Sequence, residues 1–302
     1  MASGSRKKRR SKKLKRRTYY LLWRMLVSVM VIIIGIAWLS QMALSLSSPK
    51  GEVDSRQNQA GAEAEIELLT REAVEEDMSS YSDSEKEIAT YANARGYRLS
   101  DYSDRLIELY EKNEDARQFV LDYPLKKDIA YTIDLSEYKN TETVPLLMQW
   151  DERWGYRKYA GDVFGLTGCG PTCLSMVAIY LTGNDALNPG WMADFSIENG
   201  YYEEGSGTRW ALMSQGAGSL GLNVKEISLD EERMIENLTV GNPIICIMGP
   251  GDFTDSGHFI VLTGYKDGGF TINDPNSYSR SQKIWTFSEL QHQVRGLWVY
   301  WK

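Results

Sequence analysis

The chain has 302 residues, 42% of them hydrophobic, with nine Trp and eighteen Tyr, enough to build one or two domain cores. That composition excludes a wholly disordered chain and a collagen-like repeat, and three Cys are too few for a small disulfide scaffold. The formal net charge of −7 conceals a segregation, because eleven of the 34 basic residues lie between Arg6 and Arg24 and no acidic residue precedes Glu52.

Residues 1–24 form a basic head, with Arg6-Lys7-Lys8-Arg9-Arg10, Lys12-Lys13 and Lys15-Arg16-Arg17 ahead of an uncharged stretch. A helix needs roughly 20 apolar residues to cross about 30 Å of hydrocarbon, and residues 25–46 supply them. Tyr19, Tyr20 and Trp23 sit at one edge and Trp38 toward the other, as interfacial aromatics do. The basic flank belongs on the cytoplasmic side. The expectation is a single-pass cell-membrane anchor, N-terminus cytoplasmic, with the rest of the chain extracytoplasmic. A cleaved signal peptide ending near Ala43-Leu44-Ser45 and a nuclear-localisation reading of the basic run are the alternatives.

Residues 47–84 are polar and acidic, with a thin apolar stripe of Ile66, Leu68, Leu69 and Val74, and read as a partly helical stalk. Over residues 85–128, Leu106, Tyr110, Ala116, Phe119 and Val120 recur at helical spacing. Ser103 suits one helix cap, Asn113 breaks or caps the next, and Tyr123-Pro124 should stop it. This block reads as a small helical adjunct with a structural role.

Residues 129–302 turn to short β-type runs, Gly-rich turns and concentrated aromatics. Strands are predicted at Ile244–Met248, His258–Tyr265, Phe270–Asn273 and Gly296–Trp301, preceded by an apolar helix from Pro171 to Thr182 that Gly183-Asn184 ends. A helix followed by an antiparallel sheet is an α+β domain.

The helix start reads Gly168-Cys169-Gly170-Pro171-Thr172-Cys173. It places Cys169 at the positive end of a helix dipole beside free backbone N–H groups, a setting that lowers a thiol pKa and can stabilise an oxyanion. Cys173 and Cys246 lie among apolar residues and read as core, with a disulfide among the three as the alternative. A thiol nucleophile needs a base, and the chain has only His258, opening an apolar strand, and His292, in a polar stretch. Only His258 has a following Asp at the end of an adjacent strand, Asp274 in Asn273-Asp274-Pro275. An even, symmetric turn would put the two on opposite faces, whereas a three-residue loop with a Gly bulge at Gly268-Gly269 would bring them together. Gln149 is the one side-chain amide between Asn140 and Cys169, and is either a surface strand residue or an oxyanion donor.

Four segments in this order, Gln149-Trp150-Asp151-Glu152-Arg153-Trp154-Gly155-Tyr156, Gly168-Cys169-Gly170-Pro171-Thr172, Gly257-His258-Phe259 and Asn273-Asp274-Pro275, resemble the papain-like cysteine peptidases related to bacteriocin-leader (double-glycine) peptidases. The resemblance covers about Val144 to the C-terminus, and the block from Leu109 to Pro124 looks like the helical extension of bacterial membrane-anchored members. It implies a papain-like α+β fold with Cys169 as nucleophile, His258 as base, Asp274 as its orienter and Gln149 as oxyanion donor. Two departures matter. The leader peptidases carry their Gln only a few residues before the Cys, where this chain has Val163. They also face the cytoplasm, so their double-glycine substrate does not carry over.

The leading expectation is an extracytoplasmic cysteine peptidase acting on a peptide or protein substrate, its other partner being the bilayer around residues 25–46. A cell-wall amidase or acyltransferase would use the same Cys, His and Asp, and a non-catalytic peptide-binding module could keep the fold. No phosphate loop, metal spacing or basic groove stands out, so no cofactor, metal or nucleic acid is expected. Gly205-Ser206-Gly207-Thr208-Arg209-Trp210 reads as a loop ending in a Thr208 helix cap, with a border of a substrate groove as the alternative.

Overall fold

The computed structural model describes residues 72–205 and 207–302. The basic head, the apolar run 25–46 and most of the acidic segment lie outside the described residues. Among the described residues no helix is long and apolar enough to cross a membrane.

The described chain opens with an irregular segment that leads into helix α1, Asp83–Asn93. Ser82 and Glu85 form a reciprocal capping box that satisfies two orphan N–H groups and fixes where α1 starts. Helix α2, Asp104–Lys112, is capped by the Ser103 hydroxyl, which accepts from the Leu106 N–H. Asn113 ends it in an extended conformation and then caps a short 3-10 turn, Glu114–Ala116, by accepting from the Asp115 N–H. Helix α3 runs Arg117–Lys126, past the expected stop at Pro124. Proline removes only one donor, and the turn still closes by the Lys127 N–H donating to the Tyr123 carbonyl at 2.9 Å. Ile88, Leu106 and Val120 give these three helices a core of their own. That core extends into the main domain through Tyr156, whose ring stacks on Phe119 at 4.4 Å.

The main domain is α+β. Helix α4, Cys169–Thr182, begins two residues before the expected Pro171 and ends on Gly183 in the left-handed conformation. Its residues from Gly170 to Ile179 are all buried, as expected of a helix apolar all round. Helix α5, Pro189–Glu198, packs beside it; Asn188 accepts from the Trp191 N–H at its cap, and Pro189 sits in the first turn, where a missing N–H costs nothing.

Five strands follow in one fully antiparallel sheet: β1, Asn223–Glu226; β2, Ile244–Met248; β3, His258–Lys266; β4, Gly269–Asn273; and β5, Val294–Trp301. Their order is β1-β5-β2-β3-β4, so the last strand inserts beside the second. Sequence reading missed β1, whose Asn-Val-Lys-Glu is mostly exposed and carries little hydrophobic signal. Helix α6, Glu231–Thr239, connects β1 to β2.

Side chains alternate across a strand, and β2 uses both faces. Ile245 and Ile247 join Leu174 and Val177 of α4 in one cluster, while Ile244, Cys246 and Met248 join Met234 and Leu238 of α6 in another. The sheet is thus buried on both sides. Its β3 and β4 ends converge with the first turn of α4, and that convergence places the candidate site.

Candidate active site

Cys169 is the first residue of α4 and is partly exposed, with Gly168 preceding it. Gly168 has no side chain to cap the helix, so the first-turn amides stay unblocked. Gly170 has a steric reason to lack a Cβ, since one built there would lie 2.7 Å from Thr208. Pressed against that wall, the start of α4 holds its thiol toward β3.

His258 opens β3 and is 6% exposed; Asp274 directly follows β4 and is fully buried. His258 Nε2 lies 2.7 Å from Asp274 Oδ1. The ring's remaining nitrogen, Nδ1, is therefore the one left for Cys169, which lies close enough for each group to shift the other's pKa. Asp274 is itself tied on three sides. Arg280 Nε donates to its Oδ2 at 2.5 Å, the Asn276 N–H donates to its Oδ1 at 2.8 Å, and its own N–H donates to Ser281 Oγ at 2.9 Å. A buried carboxylate with this many donors is stable as an anion.

Burial alone would push the Cys169 thiol up, but the hydrogen bond and charge of His258, together with the Phe259 and Gly170 N–H groups, outweigh it and lower the pKa. Burial would push His258 down, but the Asp274 carboxylate and Cys169 raise it to about 10. Burial likewise works against ionised Asp274, and His258 and Arg280 hold its pKa below the ordinary carboxylate value. The three groups stabilise one another's charged forms, giving a thiolate and an imidazolium side by side.

The site opens onto a cleft of about 760 Å³. Gln149, Thr208, Trp210 and the loop from Phe253 to Gly257 line it, and Arg105 of α2 reaches it from the adjunct. That size accommodates a short stretch of extended peptide. Among the described residues no group of three His, Cys, Asp or Glu side chains could hold a metal ion.

A thiol at a helix start stands beside an imidazole that a buried carboxylate holds. Residues 141–302, more than half of the chain, match the family model described as the Peptidase_C39 like family. The chain belongs to that family. Two solved structures are similar to this C39-like chain. The peptidase domain of Streptococcus ComA, a bifunctional ABC transporter involved in a quorum-sensing pathway, is 21% identical with a TM-score of 0.35, over 44% of this chain and 89% of that one. A protein from Bacillus anthracis described as a C39-like peptidase is 16% identical with a TM-score of 0.31, over 56% of this chain and 96% of that one. No curated protein matches the chain.

The structure of this C39-like domain brings Cys169, His258 and Asp274 together and places Gln149 on the same cleft. Gln149 is not a surface strand residue. It lies in a turn, 3% exposed, its Nε2 donating to the Gly165 carbonyl at 2.7 Å and its backbone N–H to the Pro275 carbonyl at 2.7 Å. Its Oε1 is buried without a partner among the described residues. His292 lies on an exposed turn after the short helix Phe287–Leu290 and does not line the cleft. All three cysteines are free thiols, and Cys173 and Cys246 are fully buried.

Thr208 caps no helix. Gly207–Thr208 pairs with Tyr202–Glu203 as a small hairpin on the cleft, and the Thr208 hydroxyl bonds Tyr159 Oη at 2.9 Å. Sequence reading missed Arg280 and Ser281, the side chains that hold Asp274. The available signal was Ser277 three residues before Arg280, an N-cap spacing for the short helix α7, Tyr278–Gln282, that carries both.

Proposed function

We propose that this protein is a membrane-anchored cysteine peptidase whose domain 129–302 hydrolyses peptide or amide bonds outside the membrane. The observation that carries the proposal is Cys169 at a helix start beside His258, which is hydrogen-bonded to buried Asp274, all opening on a cleft in a chain of the C39-like family. The anchor and the extracytoplasmic side rest on the basic head and the apolar run 25–46.

In this reading the Cys169 thiolate attacks the carbonyl carbon of the scissile amide, forming a C–S bond while the carbonyl electron pair moves onto oxygen. The oxyanion takes the Cys169 backbone N–H, a first-turn amide without an intrahelical acceptor. Its second donor is the Gln149 amide. One N–H of that group goes to Gly165, leaving the other for the cleft. The tetrahedral species collapses as the His258 imidazolium gives its proton to the leaving amine, and the C–N bond breaks to leave a thioester on Cys169. His258, now neutral, takes a proton from water as the water attacks the thioester, and the released thiolate restores the starting pair. Asp274 keeps the ring oriented and its charge balanced throughout.

The test is intact-mass and peptide mass spectrometry of the full-length protein incubated with cell-surface protein and cell-wall fragments. An acyl adduct on Cys169 that disappears on chase with water, leaving a shortened substrate, is expected. Transfer of the acyl group to an added amine in preference to water would make it a transferase. Persistent non-covalent retention of peptide with no adduct would make it a binding module.

A further inference from the structure

The helical adjunct, which sequence alone reads as structural, meets the main domain through exposed ion pairs, Arg105–Asp162, Lys112–Asp255 and Lys126–Glu152, and through Asn113 and Asp115, whose side chains both reach one short segment, the chain from Pro275 to Gln282. Asn113, at the end of α2, donates from Nδ2 to the Asn276 carbonyl at 2.6 Å and to Asn276 Oδ1 at 3.1 Å. Asp115, two residues on, accepts at Oδ2 from the Tyr278 N–H at 2.9 Å and from Ser277 Oγ at 3.4 Å. It thereby puts a carboxylate at the start of α7, where unpaired amides favour an anion. Asn113 Oδ1 in turn accepts from the Asp115 backbone N–H, so the Asn113 side chain also fixes the backbone that carries Asp115.

The gripped segment carries the groups that hold Asp274. Asn276 supplies an N–H to Oδ1, Arg280 supplies Nε to Oδ2, and Ser281 receives the Asp274 N–H. Asn276 lies one residue past the corner at Pro275 and also lines the cleft. An unbroken series of contacts therefore runs from Asn113 and Asp115 through Asn276 and α7 to Asp274, then to His258 and Cys169. The two ends of the first contact are 163 residues apart in sequence.

We infer that Asn113 and Asp115 are positioning residues for the thiolate–imidazolium pair: they fix the 275–282 segment so that Asp274 presents its carboxylate to His258. The inference rests on the reading of Cys169, His258 and Asp274 as the catalytic groups. Neither Asn113 nor Asp115 touches the thiol, the imidazole or the reacting carbonyl. They act through Asn276 and α7. The adjunct is on this account a functional part of the site, and its grip sets how much of Cys169 is ionised at neutral pH.

The measurement needs no known substrate. The second-order rate of Cys169 alkylation by iodoacetamide, followed from pH 4 to pH 11 by mass spectrometry on the full-length protein, reports the thiolate directly. Wild type is expected to show a limb well below the ordinary thiol value. Asp115→Ala and Asn113→Ala are expected to move that limb up by about one pH unit, a tenfold slower alkylation on the limb. Asp115→Asn keeps an acceptor for the Tyr278 N–H and should restore most of the wild-type profile. Ile88→Val trims a methyl from the adjunct's own core; it should lower the unfolding temperature without moving the limb. An unchanged limb in Asp115→Ala, with a low limb in wild type, overturns the positioning role and leaves the nucleophile reading standing. An equal shift in Ile88→Val overturns it too, as a general effect of destabilisation. A wild-type Cys169 that titrates as an ordinary thiol overturns the catalytic reading itself, and the inference with it.

Discussion

His258 and Asp274 meet at 2.7 Å because Thr263 is an extra residue in β3. Near the turn, Lys266 faces Gly269 and Gly264 faces Thr271; farther along, Leu262 faces Ile272 and Val261 faces Asn273. The register slips by one between the two stretches, with Thr263 left over. Side chains alternate, so one inserted residue reverses which face each later residue takes. Continued without the bulge, the turn-side register would set Asp274 opposite Val261 and on the face away from His258. With it, Asp274 stands level with Ile260, whose side chain shares a face with that of His258. The hairpin turn itself is a two-residue one, Asp267 and Gly268, both at positive φ, as a tight primed turn requires.

The buried ring, and not the exposed one, should act as base. His258→Ala should lower turnover by at least the roughly 10²-fold typical of acid–base catalysis, and His292→Ala should leave it nearly unchanged. Steady-state rates with any substrate found by adduct trapping check this. Equal losses in both variants would point to a folding effect.

Much of this was legible before the structure. Gly on both sides of Cys169 and Pro171 two residues later mark a helix start, and β2 was read to the residue because Pro243 and the charge-free run Ile244–Met248 bound it. The parity of His258 and Asp274 was not legible, because a bulge at Thr263 leaves no composition signal and the Gly pair at the turn pointed to a loop bulge instead. Of the two readings of Gln149, the surface strand fails: the residue sits in a turn on the cleft, its N–H bonded to the Pro275 carbonyl, a contact between segments far apart in sequence. The contacts from Asn113 and Asp115 to Asn276 and Tyr278 are long-range pairings between polar residues, which no local pattern announces.

The pH dependence follows from the directions of the shifts. Cys169 is lowered and His258 is raised to about 10, so the thiolate–imidazolium pair exists between the two. Turnover should rise with pH through the lowered thiol limb, hold across neutral pH, and fall as pH passes about 10 and the imidazolium loses its proton. For stability, the raised His258 contributes fully below its unfolded value of about 6.5, and the contribution is lost as pH rises through about 10. The lowered Asp274 contributes above about 3.9 and its share is lost as pH falls through its depressed folded value. Thermal unfolding across pH 3 to 11 should therefore show losses at both ends. Asp274→Asn should flatten the alkaline one.

Gln149 separates oxyanion stabilisation from thiol activation. Gln149→Ala should cost about 10²- to 10³-fold in kcat, the scale of one lost oxyanion donor. Cys169 alkylation by iodoacetamide, which forms no oxyanion, should keep its wild-type rate and pH limb. A parallel loss of alkylation would show that the Gln149 side chain acts instead by bracing Gly165, whose carbonyl it bonds.

The basic residues crowd one side of an apolar run long enough to span a bilayer, so the anchor should be uncleaved and oriented with its N-terminus in the cytoplasm. Protease added to intact cells should remove the acidic part of the chain and spare the head. Full protection of residues 129–302 would reverse the topology, and a mature N-terminus between Ser45 and Gly51 would show processing.

Thiol selectivity tests the nucleophile most directly. Cys169 is partly exposed at a helix start, with His258, the Phe259 N–H and the Gly170 N–H all favouring its thiolate. Cys173, one turn farther along α4, is fully buried; burial pushes its thiol well up, and the neighbouring Cys169 charge pushes it further. Cys246 is buried in the middle of β2, and burial raises it too. Iodoacetamide at neutral pH should therefore label Cys169 alone in the folded protein, with Cys173 and Cys246 reacting only after denaturation. His258→Ala should slow the labelling, since it removes the partner that outweighs the cost of burying the thiolate. Cys169→Ala should abolish turnover and leave the unfolding temperature close to wild type. Cys173→Ser should keep activity but lose roughly 1–3 kcal/mol of stability, because a hydroxyl replaces an apolar sulfur in a site packed by Leu174 and Val177. Turnover that survives Cys169→Ala, or Cys173 alkylating as fast as Cys169 in the folded state, would remove Cys169 as the nucleophile.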